Sequence, residues 1–260
     1  MFSSITFWCE FPEKVKWKEV KIPFDTEIFI ASSSIKEFNE LRKKIPKKLK
    51  LCVWPTLRKE EGYWFSGYCS KESILKLREF DGLPMKIDVE PPLPEMKFSA
   101  LGLLKYGVSL LLFKKPKNNL FLKRTIEDLS SPLIISGLPL PNFLLKRYGD
   151  NVRKDIGRRN FFIYRTFFSG ILGFVLSVYY KWFIKSRLNM YKERAMFAIG
   201  CVGPGIFGDE PFYKNLKAFE KDLRWFSESG VRNLVVFNLE GIMMRQNKEE
   251  WFKVLRAYLS

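Results

Sequence analysis

Short apolar runs alternate with longer amphipathic or apolar segments along almost the whole chain. We interpret eight of the short runs as strands, over residues 4–9, 26–31, 49–54, 85–89, 132–137, 160–168, 195–201 and 231–239. The segments between them predict helices, most clearly over residues 35–45, 70–80, 99–113, 171–188, 212–229 and 248–259. Eight strands that alternate with helices are typical of a (β/α)8 TIM barrel, here a single domain covering residues 1–260. A doubly wound open sheet is the alternative, but no GxGxxG fingerprint follows the first strand.

The fourth run ends in two carboxylates. Residues 84–94 read PMKIDVEPPLP, and the two prolines that follow Glu90 stop any regular structure there. Side chains two residues apart in a strand share a face, so Asp88 and Glu90 are predicted to point the same way. Two neighbouring acids repel each other, which raises the proton affinity of one and suits it to acid/base chemistry. A solvated strand end is the alternative interpretation.

The other predicted strands also end in polar or aromatic residues. In a (β/α)8 barrel all these ends face one mouth, so residues distant in sequence converge there. The converging set is Glu10, Trp54, Asp88, Glu90, Tyr164, Arg165, Glu210, Asn238 and Glu240. Cleavage of a glycosidic bond needs two carboxyl groups, one donating a proton and the other acting as nucleophile, base or electrostatic stabiliser. The predicted catalytic residues are therefore Glu90, Asp88, Glu240 and Glu10.

Aromatic side chains near the predicted mouth suggest a surface for sugars. Trp54 ends the third strand, and the loop after it carries Tyr63, Trp64 and Tyr68. Sugars present flat C–H faces that pack on aromatic rings, although packing within the loop is the alternative role for these side chains. The predicted substrate-binding residues are Trp54, Trp64, Tyr164, Arg165, Glu210 and Asn238.

Three short stretches carry a resemblance to a known group of enzymes. The DVE that ends strand four, the Tyr in FFIYRTF on strand six and the strand-eight run VVFNLEG resemble the barrel glycosidase superfamily, nearest to chitinase-type glycoside hydrolases. Those enzymes end strand four in DxDxE and carry a Tyr on strand six. The resemblance implies that Glu90 is the general acid, that Asp88 orients a substrate amide and that Tyr164 contacts substrate. This chain departs from the pattern at Lys86, which replaces an Asp, and on strand eight, where Asn238 and Glu240 replace a Trp.

A glycine-rich loop supports a second functional hypothesis. Residues 202–211 read VGPGIFGDEP after the seventh strand, where many barrels hold a phosphate on backbone N–H groups. Gly203, Gly205 and Gly208 are the candidate phosphate-binding residues, with Arg165 as an added positive charge. The alternative to a glycosidase is therefore a barrel that binds phosphate or another anionic ligand, either without catalysis or as a phosphoester-processing enzyme.

The composition excludes several mechanisms. The chain has no His, which rules out Ser-His-Asp and Cys-His catalysis and His-ligated zinc, and we expect neither a metal nor another cofactor. Its four cysteines lie far apart without a CxxC pair, as expected of buried, reduced thiols in a cytoplasmic protein. The formal net charge of +17 favours an anionic partner, but the basic residues are scattered, so nucleic acid is the least favoured one. A glycan or a sugar-containing small molecule is the expected ligand.

Two predicted helices are more apolar than a barrel requires. Residues 166–180 contain no charged side chain and residues 100–113 contain one lysine, yet each stretch is too short to span a bilayer. A barrel helix needs only one apolar face, so something must cover the other side. We therefore expect a homodimer or a membrane-surface contact through the helices at about 99–113 and 170–188.

Overall fold

Eight parallel strands form a closed barrel. The computed structural model describes residues 1–92, 102, 105–106 and 116–260. Within them each strand pairs with its neighbour in sequence, and β8 pairs with β1 to close the barrel. The strands are β1 Ser4–Cys9, β2 Glu27–Ser32, β3 Lys50–Pro55, β4 Met85–Asp88, β5 Leu133–Gly137, β6 Arg158–Phe162, β7 Ala195–Ile199 and β8 Asn233–Phe237. The predicted TIM barrel is confirmed, and the open sheet is excluded.

Helices follow the strands on the outside of the barrel. They are α1 Ile35–Lys44, α2 Lys71–Leu75, α3 Asn119–Glu127, α4 Asn142–Tyr148, α5 Gly170–Tyr191, α6 Leu216–Glu228, α7 Leu239–Met243 and α8 Lys248–Ala257. Side-chain caps fix where three of these helices begin. Ser34, Ser70 and Asn215 each accept a hydrogen bond from the backbone N–H of the residue three positions later in the chain. The predicted helix over residues 99–113 falls, apart from Gly102, Lys105 and Tyr106, outside the described residues.

Strand alternation divides the core into two layers. Phe7, Ile30, Val53, Ile87 and Phe197 point outward and pack against the helices in the larger cluster. The opposite face of the strands fills the inside of the barrel with a smaller and more aromatic cluster. It contains Trp8, Phe29, Ala31, Cys52, Trp54, Ile134, Phe162, Met196, Ala198, Cys201, Val235 and Phe237. Full burial of each large side chain contributes roughly 1.5–3 kcal/mol, so both layers stabilise the barrel.

Several strands end earlier than predicted, and this moves candidate residues off the sheet. β6 ends at Phe162, not at residue 168, because the chain turns: the Arg165 N–H donates to the Ile163 carbonyl and a short 3-10 helix spans Arg165–Phe167. β8 ends at Phe237, and the unpredicted helix α7 begins directly after Asn238. Tyr164, Asn238 and Glu240 therefore lie in the segments that follow the strands.

Helix α5 occupies the predicted position and extends to Tyr191. Its second half packs on the barrel through Tyr180, Phe183 and Ile184, whereas much of its first half faces outward. In the ranges that the structure describes, no helix has both the length and the apolar character needed to cross a membrane.

Candidate active site

A cavity of about 280 Å³ opens at the carboxyl ends of the strands. This volume is close to the lower end of the range that small-molecule sites occupy, about 300–1,000 Å³. Its charged lining residues are Glu10, Lys86, Asp88, Glu90 and Glu210. Its aromatic lining includes Trp8, Trp54, Trp64, Tyr106, Phe162, Tyr164, Phe167, Phe168, Tyr180, Phe207 and Phe237. The described residues thus bring seven of the predicted site residues to one cavity: Glu10, Trp54, Trp64, Asp88, Glu90, Tyr164 and Glu210.

Strand β4 and the extended chain just after it supply three charged side chains to this cavity. Lys86, Asp88 and Glu90 line it, whereas Met85 and Ile87 belong to the outer core, as the alternation of a strand requires. The extended chain continues past Asp88 because the Phe65 backbone donates to the Asp88 carbonyl at 3.1 Å and accepts from the Glu90 N–H at 3.0 Å. The loop after β3 therefore fixes the backbone that carries Glu90.

Lys86 lies deepest among the charged residues. Its side chain is fully buried, and its Nζ lies 2.7 Å from Asp88 Oδ2. The same Nζ lies 3.7 Å from the ring centre of Trp8 and 3.2 Å from that of Trp54, which places it between two aromatic faces. Burial lowers the pKa of Lys86 to about 8, although Asp88 and the other nearby carboxylates act to raise it. The ring faces also favour the cation, so Lys86 is an ammonium group at neutral pH.

The two acids of β4 hold their protons more tightly than exposed carboxyls. Burial raises the pKa of Asp88, while the adjacent Lys86 ammonium acts in the opposite direction. Burial also raises the pKa of Glu90 well above its usual range, and the negative charge of Asp88 adds to the effect. Hydrogen bonds from the Ser136 and Trp54 side chains also lower the pKa of Asp88.

Glu10 belongs to a second group of buried acids. The Tyr63 hydroxyl donates to Glu10 Oε1 at 2.9 Å. Glu240 does not line the cavity: its Oε1 accepts from the backbone N–H groups of Glu10 at 2.9 Å and Phe11 at 3.1 Å. Burial raises the pKa of Glu240 to about 7. Burial, and next the charge of Glu240, raises the pKa of Glu10 to about 8. Glu240 therefore acts on the site through Glu10, which was not expected from the sequence.

The glycine-rich loop is organised around a carboxylate. Glu210 accepts hydrogen bonds from the backbone N–H groups of Gly205 at 3.1 Å and Phe207 at 2.9 Å. A Cβ on Gly205 would lie 2.8 Å from Glu210 Oε1 and 2.9 Å from Glu10 Oε2, so only glycine fits between the two acids. Gly203 packs against the backbone of Gly241 in α7. Two backbone N–H groups of the predicted phosphate loop thus already donate to Glu210. The predicted phosphate-binding residues Gly203, Gly205 and Gly208 do not line the cavity.

Two further residues lie outside the cavity, contrary to our expectation. The Arg165 guanidinium pairs with Asp222 of α6 and lies 4.4 Å from the ring centre of Trp225. Asn238 caps α7 by accepting from the Gly241 N–H at 3.2 Å. Both side chains hold segments of the wall together, because the chain turns away from the barrel axis after β6 and β8.

Other cavity residues escaped the sequence analysis. Trp8 lies two residues before Glu10, and Lys86 lies two residues before Asp88. Residues two apart in a strand share a face, so strand alternation alone could have predicted that both side chains line the cavity. The sequence could not identify Phe207 and Phe237 as cavity residues, because a phenylalanine near a strand end can belong to the hydrophobic core as readily as to a cavity wall. Across the described ranges, no group of three or more Cys, Asp or Glu side chains is placed to hold a metal ion.

Comparison with known proteins supports the fold. The sequence matches no protein-family model, and no curated protein is significantly similar to it. The structure is similar to the PgaB (BpsB) glycoside hydrolase domain from Bordetella bronchiseptica, with a TM-score of 0.52, 8% identity and 88% of each chain covered. A looser superposition relates it to a family 18 chitinase from Crocus vernus, with a TM-score of 0.49, 13% identity and coverage of 98% of this chain and 97% of the chitinase. The resemblance to glycoside hydrolase barrels is therefore confirmed at the level of the fold.

Proposed function

We propose that the protein cleaves or transfers a glycosidic bond, with Glu90 as the proton donor. The observation that carries the proposal is a set of polar atoms on cavity-lining residues that have no partner in the described protein. These are Glu10 Oε2 and the indole donor Trp8 Nε1. A sugar offers hydroxyl groups that both donate and accept, and its flat faces fit the aromatic wall. A buried polar group without a partner costs about 1–3 kcal/mol, so a polyol that bonds these atoms gains affinity.

Glu90 has the properties of a general acid. Burial and the neighbouring charge of Asp88 raise the pKa of Glu90 well above its usual range, which favours the protonated form that a general acid needs. It lies at the end of β4 on the wall of the cavity, so it can reach the oxygen of a leaving group. Protonation of that oxygen lets the bond to the sugar carbon break without expelling an alkoxide.

Asp88 is the second carboxyl of the mechanism. The Lys86 ammonium at 2.7 Å holds it in place and favours its ionised form. An anion beside the reacting carbon stabilises the positive charge that develops on the sugar ring as the bond breaks. Water, or the hydroxyl group of an acceptor, then forms the new bond to that carbon and returns a proton to the Glu90 carboxylate. Glu10 is mostly protonated at neutral pH because its pKa is about 8, so it binds substrate as a hydrogen-bond partner. Glu240 is buried behind Glu10 and has no direct role in this mechanism.

The charges of the cavity disfavour the alternative of an anionic ligand. Among the described residues, Lys86 supplies the ammonium group that lines the cavity, and Asp88 already pairs with it. A phosphate group would therefore meet no unpaired cation among these lining residues, and Arg165 is held away from the cavity by Asp222. A neutral or cationic sugar fits the site better.

The experiment is a screen of glycans and aryl glycosides with the protein and with Glu90→Gln. The substitution keeps the shape of the side chain but removes the proton, so turnover should fall by about 100-fold or more with unchanged circular dichroism. Glu79→Gln, at an exposed position on the 3-10 helix that follows α2, is the matched control and should behave as the unmodified protein. Equal activity of Glu90→Gln and the control would rule out the assignment.

A further inference from the structure

The first half of α5 presents an apolar stripe to the outside. We define the apolar stripe as Ile171, Phe174, Val175, Val178 and Trp182, which recur at helical spacing and are all exposed. Ile171 is 86% exposed, Phe174 72% and Trp182 64%. The opposite side of the same helix packs on the barrel. A surface helix with its apolar side outward needs a covering surface, because it otherwise leaves several large side chains in water.

The stripe is continuous with the rim of the cavity. Phe167, Phe168 and Tyr180 line the cavity, and α5 begins two residues after Phe168. The rim on this side also includes the apolar residues Leu138 and Ile206. A ligand that leaves the polar floor therefore passes directly onto apolar surface.

Further exposed apolar residues lie on the same face of the barrel. Leu120 and Phe143 are the second residues of α3 and α4, and Phe212 precedes the start of α6 by four residues. In a (β/α)8 barrel the first turns of the helices lie at the carboxyl ends of the strands, the end that holds the cavity. Exposed apolar side chains thus follow β4, β5, β6 and β7 around the mouth and are not confined to one helix.

The charges near these residues decide what covers them. Lys181 and Lys185 are exposed on α5 beside the stripe, and Lys117 and Lys214 are exposed near the starts of α3 and α6. The whole chain carries a formal net charge of +17. A second copy of this chain would bring like charges together, whereas an anionic lipid surface attracts them. Trp and Lys at the edge of an apolar patch also suit the boundary between headgroups and acyl chains.

We propose that the cavity-bearing face of the barrel docks on an anionic lipid bilayer through the apolar stripe, and that the sugar in the cavity belongs to a lipid-linked glycan. The sugar would occupy the polar floor between Asp88, Glu90 and Glu10, while its lipid stays in the bilayer beside α5. The membrane contact is inferred from the exposed side chains and charges alone, whereas the class of substrate rests on the proposed function. The contact is peripheral, with the side chains of the stripe entering the outer part of the bilayer.

Flotation with two kinds of vesicle tests the docking. The protein should bind vesicles of phosphatidylcholine with phosphatidylglycerol, and bind less to pure phosphatidylcholine or at high salt. The triple variant Ile171→Gln, Phe174→Gln, Val178→Gln keeps the charge and the helix, and should bind about 100-fold more weakly. Leu75→Gln, an exposed apolar position at the end of α2, is the control and should bind like the unmodified protein. Absence of binding to anionic vesicles overturns the proposal. So does sedimentation as a dimer that the triple variant dissociates, because a second copy would then cover the stripe.

A comparison of two substrates separates the docking from the chemistry. Long-chain alkyl glycosides carried in the anionic vesicles should be hydrolysed faster than water-soluble short-chain alkyl glycosides of the same sugars, which have an equally poor leaving group, and only the former activity should fall in the triple variant. Equal rates on both, unchanged by the triple variant, would overturn the lipid-linked substrate and leave the glycosidase intact. Vesicle binding by the protein and by Glu90→Gln, without hydrolysis of either substrate, would uphold the docking and overturn the proposed function.

Discussion

The buried pair of Lys86 and Asp88 gives the sharpest prediction about stability. In Lys86→Met the side chain still fills the space between Trp8 and Trp54, but Asp88 loses its partner at 2.7 Å. Both side chains of the pair are at most 3% exposed, so solvent screens the lost interaction very little. Removal of one partner of a buried pair costs about 3–5 kcal/mol. For a chain of this length that corresponds to a fall in Tm of roughly 6–20 °C, measured by circular dichroism at pH 7.

The double variant and the pH dependence show whether charge is the cause. Lys86→Met with Asp88→Asn removes both charges and should recover most of the loss, to within about 1–2 kcal/mol of the unmodified protein. In Lys86→Met, the pKa of Asp88 in the folded state lies above its value in the unfolded chain. Its stability contribution is therefore present at low pH and is lost as the pH rises through the folded pKa. A single variant as stable as the unmodified protein, or a double variant no better than the single one, would refute the reasoning.

Two further predictions concern Glu10 and Arg165. Glu10 has a folded pKa of about 8, so it stabilises the fold below its unfolded pKa and loses this contribution as the pH rises through about 8. Glu10→Gln should therefore weaken the pH dependence of the unfolding free energy between about pH 5 and pH 8, by up to about 1.4 kcal/mol per pH unit. Urea titrations at several pH values measure this dependence, and an unchanged dependence would contradict the pKa assigned to Glu10. Arg165→Met should lower Tm because it breaks the pair with Asp222, yet leave KM unchanged, whereas a large rise in KM would place Arg165 in the site.

The fold could be predicted because its signals are local. The strands of this barrel are short and buried, and helices such as α1 begin at a recognisable cap, here Ser34, so the number and order of the strands followed from the sequence. The ends of β6 and β8 could not be predicted. The aromatic run after Phe162 has the same apolar composition in a strand as in the wall of a cavity, and only tertiary packing decides where the strand stops.

The site was predictable only in part, for the same reason. Asp88 ends β4 and Glu90 follows in extended chain, so alternation still fixes their direction, and both line the cavity. Glu240 and Arg165 follow strand ends, where the chain turns and alternation no longer applies. Lys86 was visible in the sequence as a departure from DxDxE, but its place between Trp8 and Trp54 depends on three different strands. Contacts of this kind appear only when the barrel is closed.

The most direct test of the central claim is the dependence of the Glu90→Gln defect on the leaving group. An acid that protonates the departing oxygen matters greatly for alkyl glycosides, whose leaving groups are poor, and little for 2,4-dinitrophenyl glycosides, which leave unaided. We predict that kcat of Glu90→Gln falls by about 100-fold or more on the alkyl glycosides and by less than about tenfold on the dinitrophenyl glycosides of the same sugar. Equal losses on the two substrates, or no loss on either, would contradict the role of Glu90 as the proton donor.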